Sequence, residues 1–576
     1  MVIADKSYQS TCNAQLTSWR PLLDSVNTAF SAFTPLSVRI TNSILQVRSL
    51  IARLLERAVY PAAVNVPVRG ESNTTSTPTQ MLEALLKLAR TMISATGSAR
   101  LRRSHTDIFQ GSALKLSSHQ DPGIAIAAFN LLSTLSPPHT QITQSSSQHH
   151  RGRGSVAAVD GLLRQLGDSR LGSDLLIQAW TALADTVRND RTLLHTHMQV
   201  ITQRLQHHIK AADLLLRQTC VSCVAVMCSI KEQEAATLRK ESVDEFTVLM
   251  AEAAKDTAAL VRAETLQALP TLARLQSSCS SPLQQTQAGR LLSELLRDRE
   301  ATVRAAALRG VGTLLVPQDD AETGEASADV AGTTSSEAQG MAIEALKGGP
   351  SPPLEDSSLL VRLRASWVLA NVCQALSSAA HAKTLDSSLW RSMLELANQA
   401  MQDDERVRTN ALRAVGFLLA DSSRTWLDSN YALVQTSMEG LFADLDVTSS
   451  PKTKWNAVNA LSTALTNEIT RAWLVQQDMA FRVTRSLSSQ LASKTFKVKL
   501  AAIQAMLRIG TQEELGGRKS WEAALAAAKA CQSSIDGQVK EATFREARLH
   551  GDKCRVGLDE LVEHLENLEA GEVQGM

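Results

Sequence analysis

Leu360-Val-Arg-Leu-Arg-Ala-Ser-Trp-Val-Leu-Ala-Asn371 opens on an apolar residue followed by Arg and continues in Ala, Val and Leu at helical spacing. The same apolar-basic pair returns along the chain, its basic member at Arg217, Arg262, Arg304, Arg362, Arg408, Lys454, Lys499 and Lys540. Successive intervals are 45, 42, 58, 46, 46, 45 and 41 residues. An interval of this size is one two-helix unit, which cannot cover its own apolar face and must stack on copies of itself. The sequence therefore predicts an all-α fold, an α-solenoid.

Aligning the repeats on the basic residue turns this reading into columns. Directly before it stand Leu216, Val261, Val303, Val361, Val407, Thr453, Val498 and Val539. Three positions after it come Cys220, Thr265, Ala307, Ala365, Ala411, Ala457, Ala502 and Thr543. On a helix the offsets −1, +3, +4, +7, +10 and +11 share one stripe, so these columns are the expected buried face. Small residues dominate +3 because neighbouring helices approach closely there. Asp256, Asp298 and Asp356 lie five residues before the apolar member, with Asp403 one residue closer. In two-helix repeats of the HEAT or armadillo kind such an Asp caps the second helix while the Arg ladders to the next repeat's acid. Upstream, Ala125 and Leu176 take the basic position of two weaker repeats, with Ala128, Phe129, Ala179, Trp180 and Leu183 inward.

The 576 residues carry 59 basic and 58 acidic side chains, a formal net charge of +1, so no global attraction to nucleic acid or anionic membrane is expected. Short basic runs, Arg100-Leu-Arg-Arg103 and His149-His-Arg-Gly-Arg153, read as solvated loops. Aromatic residues are only 4%, which suits packing by Leu, Ala and Val. The start, Met-Val-Ile-Ala-Asp-Lys-Ser, lacks the pattern of a secretory leader and no uninterrupted apolar run approaches a membrane span. Eight cysteines without framework spacing fit a reducing compartment, so a soluble intracellular protein is expected, in cytoplasm or nucleus.

Composition divides the chain into an N-terminal helical-repeat region at 27–135, a flexible linker at 136–155, helical repeats at 156–316, an acidic, Gly- and Ser-containing insertion at 317–337, and further repeats at 338–565. Residues 61–80 also break the helical pattern. The insertion accounts for the 58-residue interval, and its composition predicts disorder. Met341–Lys347 then reads as a short first helix ended by Gly348.

Leu360–Asn371, then Val407-Arg-Thr-Asn-Ala-Leu-Arg-Ala-Val-Gly416, Lys454-Trp-Asn-Ala457 and Phe496-Lys-Val-Lys499, in that order and spacing, resemble the C-terminal half of HEAT repeat-containing protein 6. Phe33-Thr-Pro-Leu-Ser-Val38 with Met81-Leu-Glu-Ala-Leu-Leu-Lys-Leu88 looks like the domain of unknown function near that family's N-terminus. The resemblance is strong over 298–510 and weak elsewhere. It implies an armadillo-type fold and a scaffolding role, without a reaction.

Candidate chemistry is sparse. Cys220-x-x-Cys223-x4-Cys228, with His207 and His208 upstream, superficially offers zinc ligands, but Cys220 and Cys228 fall in core columns +3 and +11. No nucleophile elbow, His-Glu-x-x-His, phosphate loop or dinucleotide fingerprint occurs. No enzymatic activity, metal, cofactor or small-molecule substrate is therefore expected. The expected site lies opposite the core stripe, at offsets +2, +5 and +9, which line the concave groove of such stacks. These positions are Arg364, Trp367 and Asn371; Asn410, Arg413 and Phe417; Asn456, Asn459 and Thr463; then Gln504 and Arg508. Trp367-x-x-x-Asn371 looks like the armadillo signature in which Asn bonds the backbone of an extended peptide and Trp walls a pocket. The alternative for Trp367 is packing against a neighbouring helix. A non-enzymatic scaffold binding a segment of a partner protein is expected, without membrane or nucleic acid. The rivals are a karyopherin-like transport receptor and a chromatin-associated HEAT protein.

Overall fold

The computed structural model describes residues 121–135, 159–189, 192–229, 240–277, 282–316, 336–348, 352–380, 387–446 and 449–574, with scattered positions from 83 to 116 and at 156. The expectations for 27–80, for the linker at 136–155 and for 317–335 lie outside them. Contacts divide the chain into two compact units, one reaching Ser281 and including Thr286–Leu291, the other holding Pro282–Gln285 and Leu292–Met576.

In the first unit the elements are α1 (Pro122–Leu135), α2 (Ser173–Asn189), α3 (Thr192–His208), α4 (Leu214–Cys228), α5 (Lys240–Ala253), α6 (Ala259–Thr265) and α7 (Leu269–Ser277). Helices α1, α2, α4 and α6 pack successively on one another, while α5 packs on α3 and α7. The division of the chain falls within α8 (Gln287–Leu295).

The second unit repeats this pairing. Its second helices are α9 (Ala301–Thr313), α11 (Leu359–Ala380), α13 (Glu405–Ala420), α16 (Pro451–Ala464), α19 (Phe496–Met506) and α21 (Arg545–Gln574), each packed on the next. Interleaved are α10 (Ser336–Lys347), α12 (Ser387–Ala400), α14 (Arg424–Ser429), α15 (Tyr431–Asp446), α17 (Glu468–Gln476), α18 (Ala480–Leu491) and α20 (Arg518–Glu541). Of these α12, α15, α18 and α20 form a parallel layer of successive contacts. Among the described residues there is no strand.

The repeat register is visible in the helix starts. Ala125, Leu176, Arg217, Arg262, Arg304, Arg362, Arg408, Lys454 and Lys499 are each the fourth residue of their helix. The predicted stripe is the core: Val361, Ala365, Ser366, Leu369, Val372 and Cys373 of α11 are at most 1% exposed. The same columns of α13, Val407, Ala411, Leu412, Val415, Leu418 and Leu419, are fully covered. Each such Leu or Val contributes about 1.5–3 kcal/mol of burial. Residues Leu359–Ser377 are long and apolar enough to cross a membrane by composition, yet most of them are buried inside the unit, as in a core helix.

Position four is basic because it has two tasks. Arg217, Arg304 and Arg362 each donate from Nη1 to the carbonyls five and six residues earlier, closing the turn before their own helix. Their remaining nitrogens grip the next repeat's Asp in a fork: Arg217 with Asp256 at 2.7 Å, Arg304 with Asp356 at 2.8 Å, Arg362 with Asp403 at 2.6 Å. Asp256, Asp298 and Asp356 accept the backbone N–H two residues on, so they shape the turn that leads into the helix rather than standing at the cap itself. Asp213 and Asp404 are the side-chain caps of α4 and α13. Where Thr448 leaves the Asp column empty, Arg408 turns to Asp444 on α15 at 3.0 Å. Glu405 then takes over the link to the next turn, accepting from Thr453 Oγ1 and the Ser450 backbone, and these bonds hold its carboxyl at about 2.

Two expectations need correction. Lys540 opens no repeat: it lies in the last turn of the 24-residue α20, and Thr543 is exposed. The fourth residue of the last helix is Arg548, whose Nε donates to the carbonyl of Ala542, six residues earlier, the carbonyl position that Arg217, Arg262, Arg304 and Arg362 also reach. The first helix after the insertion starts at Ser336, five residues before the predicted Met341. Ala338, Met341, Ala342, Ala345 and Leu346 make one buried stripe, and Glu337 accepts the backbone N–H of Leu283 at 2.7 Å.

Candidate functional site

A second helix in such a stack has neighbours on both flanks as well as beneath it, so little of its surface is left for solvent. On α9 the open residues include Ala306, Arg309 and Thr313; on α11 they are Arg364, Trp367 and Gln374; on α13, Asn410, Arg413 and Phe417. Helix α16 offers Asn459 and Thr463, and α19 offers Gln504 and Arg508. Offsets +5 and +9 therefore face outward in most repeats while −1, +3 and +7 face inward. Asn371 and Asn456 differ from the expectation: they are 6% and 3% exposed, because adjacent second helices close over the flanks.

The structure knits part of this face together. Asn410 Nδ2 donates to the covered Ser366 Oγ at 3.0 Å, and an Arg413 guanidinium nitrogen lies 3.4 Å from Gln374 Oε1, so two side chains of this face tie α13 to α11. Asn456 Nδ2 instead donates to its own helix at Lys452 O, 2.9 Å away. Among the described residues no side-chain hydrogen bond joins Asn459, Thr463 or Arg508 to the α11–α13 group.

Trp367 is half-buried, and its indole lies over Gly312 of α9: a methyl there would stand 2.1 Å from a ring carbon. The ring thus packs on a neighbouring helix and is only partly open to solvent. Asn371 Nδ2, one turn further along, is covered and has no acceptor among the described residues, an arrangement that costs about 1–3 kcal/mol.

The arginines here differ from those of the ladder. Among the described residues no carboxylate lies within ion-pair distance of Arg309, Arg364, Arg413 or Arg508. Burial pulls the Arg364 guanidinium below its ordinary range, helped by the Arg309 charge, and burial alone does the same to Arg413. Arg309 occupies the +5 column of its repeat, so the alignment that gave Arg364 and Arg413 also gives this residue, although the expected groove began only at 360.

Cys220 and Cys228 are fully buried in their core columns and Cys223 nearly so, and burial pushes the Cys220 and Cys223 thiols well up. His208 is buried too: its Nδ1 accepts from Trp180 Nε1 at 2.9 Å, and burial with the neighbouring His207 and Arg204 charges lowers it to about 4.

No protein-family model matches this chain. Solved structures similar to it include importin beta, at 12% identity with a TM-score of 0.53, covering 94% of this chain and 67% of that one. Kap121p is similar at 14% identity and TM-score 0.52, covering 94% and 49%, and the complex of Kap121p with Nup53p gives the same values. The chain thus spans about half the length of Kap121p. At such identities the likeness is one of fold, and that fold is an all-α, HEAT-type helical solenoid.

Proposed function

We propose that this chain is a non-enzymatic scaffold that holds an extended segment of a partner protein across the open face of the second helices in its second unit. The observation that carries the reading is the contrast between faces of the same helices. The core columns are closed, whereas Arg364, Trp367, Asn410, Arg413 and Phe417 are partly open on adjacent helices and rich in the Arg and aromatic groups that dominate interface energies. Asn459, Thr463 and Arg508 extend the same groove in this reading, with Asn371 and Asn456 at its covered edge. Similarity to Leu360–Asn371 and Val407–Gly416 supports placing the chain near HEAT repeat-containing protein 6 within the wider fold.

The test compares two variants by affinity capture and mass spectrometry. Trp367→Ala with Asn371→Ala and Arg413→Ala loses the principal partner by roughly 2 kcal/mol or more. Ala411→Asp, one position from Asn410 but inward-facing, lowers the melting temperature by burying an unpaired charge. Retention of every partner by the triple variant, with a much lower melting temperature, removes the reading.

A transport-receptor role is the second reading, favoured by the likeness to importin beta and Kap121p, the latter solved with Ulp1p and with Nup53p. It requires partner binding that a small GTPase reverses in a nucleotide-dependent way.

A further inference from the structure

Helices α9, α11 and α13 each carry two rows of arginine, and the rows are treated differently. The ladder row, Arg304, Arg362 and Arg408, is matched one for one by Asp356, Asp403 and Asp444. The outward row, Arg309, Arg364 and Arg413, has no carboxylate partner among the described residues, although Arg364 and Arg413 are only partly in solvent. The outward columns of these three helices hold Ala306, Thr313, Trp367, Asn371, Asn410 and Phe417 besides, and no acid. In the first unit the same columns are Thr219, Ser222 and Val226 on α4, Glu264 on α6, and Gln267 and Thr271 beyond its end, and Glu264 accepts from both Gln218 and Gln267. Helices α9, α11 and α13 thus carry three successive outward arginines without an acid among them, where α4 and α6 of the first unit carry none.

We propose that this strip selects an acidic partner: an extended peptide segment with Asp or Glu about every third residue, its carboxylates on Arg309, Arg364 and Arg413. The inference rests on the groove reading above and adds the chemistry of the occupant. Adjacent packed helices lie about 8–10 Å apart, and three residues of extended chain span about 10 Å, so one carboxylate per repeat matches one arginine per repeat. A guanidinium that burial has already stripped of part of its water gains more from a forked carboxylate than an exposed one does. Between the arginines, Trp367 and Phe417 offer apolar contact, and Gln374 and Asn410 offer amide groups to a peptide backbone. Asn371 Nδ2, buried without an acceptor among the described residues, is a donor that a main-chain carbonyl beside Trp367 would satisfy. Nucleic acid fits less well, because a duplex presents a charge about every 1.7 Å of its axis and a strip with one cation per repeat neutralises few of them.

The experiment selects a random 12-residue display library on the full chain and, in parallel, measures binding of a 30-base-pair DNA duplex by anisotropy. Enriched peptides should carry an excess of Asp and Glu at three-residue spacing and be displaced by poly-L-glutamate. They should weaken roughly tenfold or more on R309Q/R364Q/R413Q, with unchanged circular dichroism and melting temperature. Single variants R309Q and R364Q keep the test open if the triple variant is unstable, each giving a smaller loss. Neutral or basic peptides lost on Trp367→Ala but indifferent to the arginines would overturn the acidic chemistry and leave the groove standing. Peptides indifferent to Trp367 and to all three arginines would overturn both. Arginine-dependent duplex binding without acidic enrichment would overturn the proposal in favour of nucleic acid.

Discussion

Asp403→Asn, Arg362→Met and the double variant form a cycle on one rung of the ladder. Arg362 Nε lies 2.6 Å from Asp403 Oδ2 and a terminal nitrogen 3.0 Å from Oδ1, with the two side chains 23% and 19% exposed. Exposed pairs couple by about 0.2–1 kcal/mol, whereas breaking a buried pair costs about 3–5. A forked, three-quarters-covered pair falls between, so a coupling of about 1–2 kcal/mol is expected. Asp403→Asn alone should cost about 2 kcal/mol. Arg362→Met should cost more, because the carbonyls of Asp356 and Ser357 lose their donor as well. The Arg362 side chain holds the Asp403 carboxyl below its ordinary value of 3.8, so the unfolded chain binds the proton more readily than the folded one. The coupling is therefore complete above that value and disappears as pH falls through the lower folded one. Urea denaturation of the four proteins at pH 7 and pH 3 measures it. A coupling under about 0.3 kcal/mol at pH 7, or one that grows on acidification, would refute the ladder as a tie between repeats.

Three further outcomes follow from particular contacts. Gly416→Ala should destabilise by about 1–3 kcal/mol, since its new methyl would meet the Ala460 backbone at 2.7 Å, whereas Gly312→Ala meets only the Trp367 ring and should chiefly shift tryptophan fluorescence; calorimetry and emission spectra separate the two. His208, lowered to about 4 by burial, binds its proton in the unfolded chain first, so its contribution is complete above pH 6.5 and is lost as pH falls towards 4; His208→Gln should flatten that part of the stability profile. Cys220, Cys223 and Cys228 replaced together by Ala should cost a few kcal/mol at most, and a thiol reagent should modify them only on unfolding; stoichiometric zinc lost in that variant would contradict a core role.

The register was legible because position four serves local and long-range geometry at once. A side chain there must reach carbonyls five and six residues back and an acid in the next repeat, and only Arg does both well. That is why Arg217, Arg304, Arg362 and Arg408 align, whereas Lys499, buried, bonds instead to Leu491 O, eight residues back, at 2.7 Å. The last repeat was misread because Val539 and Thr543 satisfy two columns by chance; Arg548, with Gly551 three residues on, carries the real signature. The outward face was legible as an angle and illegible as an exposure. Helical offsets placed Asn371 and Asn456 away from the core, but their burial depends on how far α9, α13 and α19 close over the flanks, which Gly312 and the Gly416–Ala460 approach set. Whether an arginine is paired is equally a property of neighbouring repeats, so helical offsets alone do not distinguish Arg309, Arg364 and Arg413 from the ladder arginines by their counterions.

Site-specific photo-crosslinking tests the central claim most directly. A benzophenone side chain at Phe417, on the outward face of α13, and one at Thr436, exposed on α15 in the other helix layer, report on the two surfaces of neighbouring repeats. The account predicts that the principal partner is captured from position 417, is lost when Arg364 and Arg413 are replaced by Gln, and is not captured from 436. Capture from position 436 alone, with position 417 silent, would contradict it.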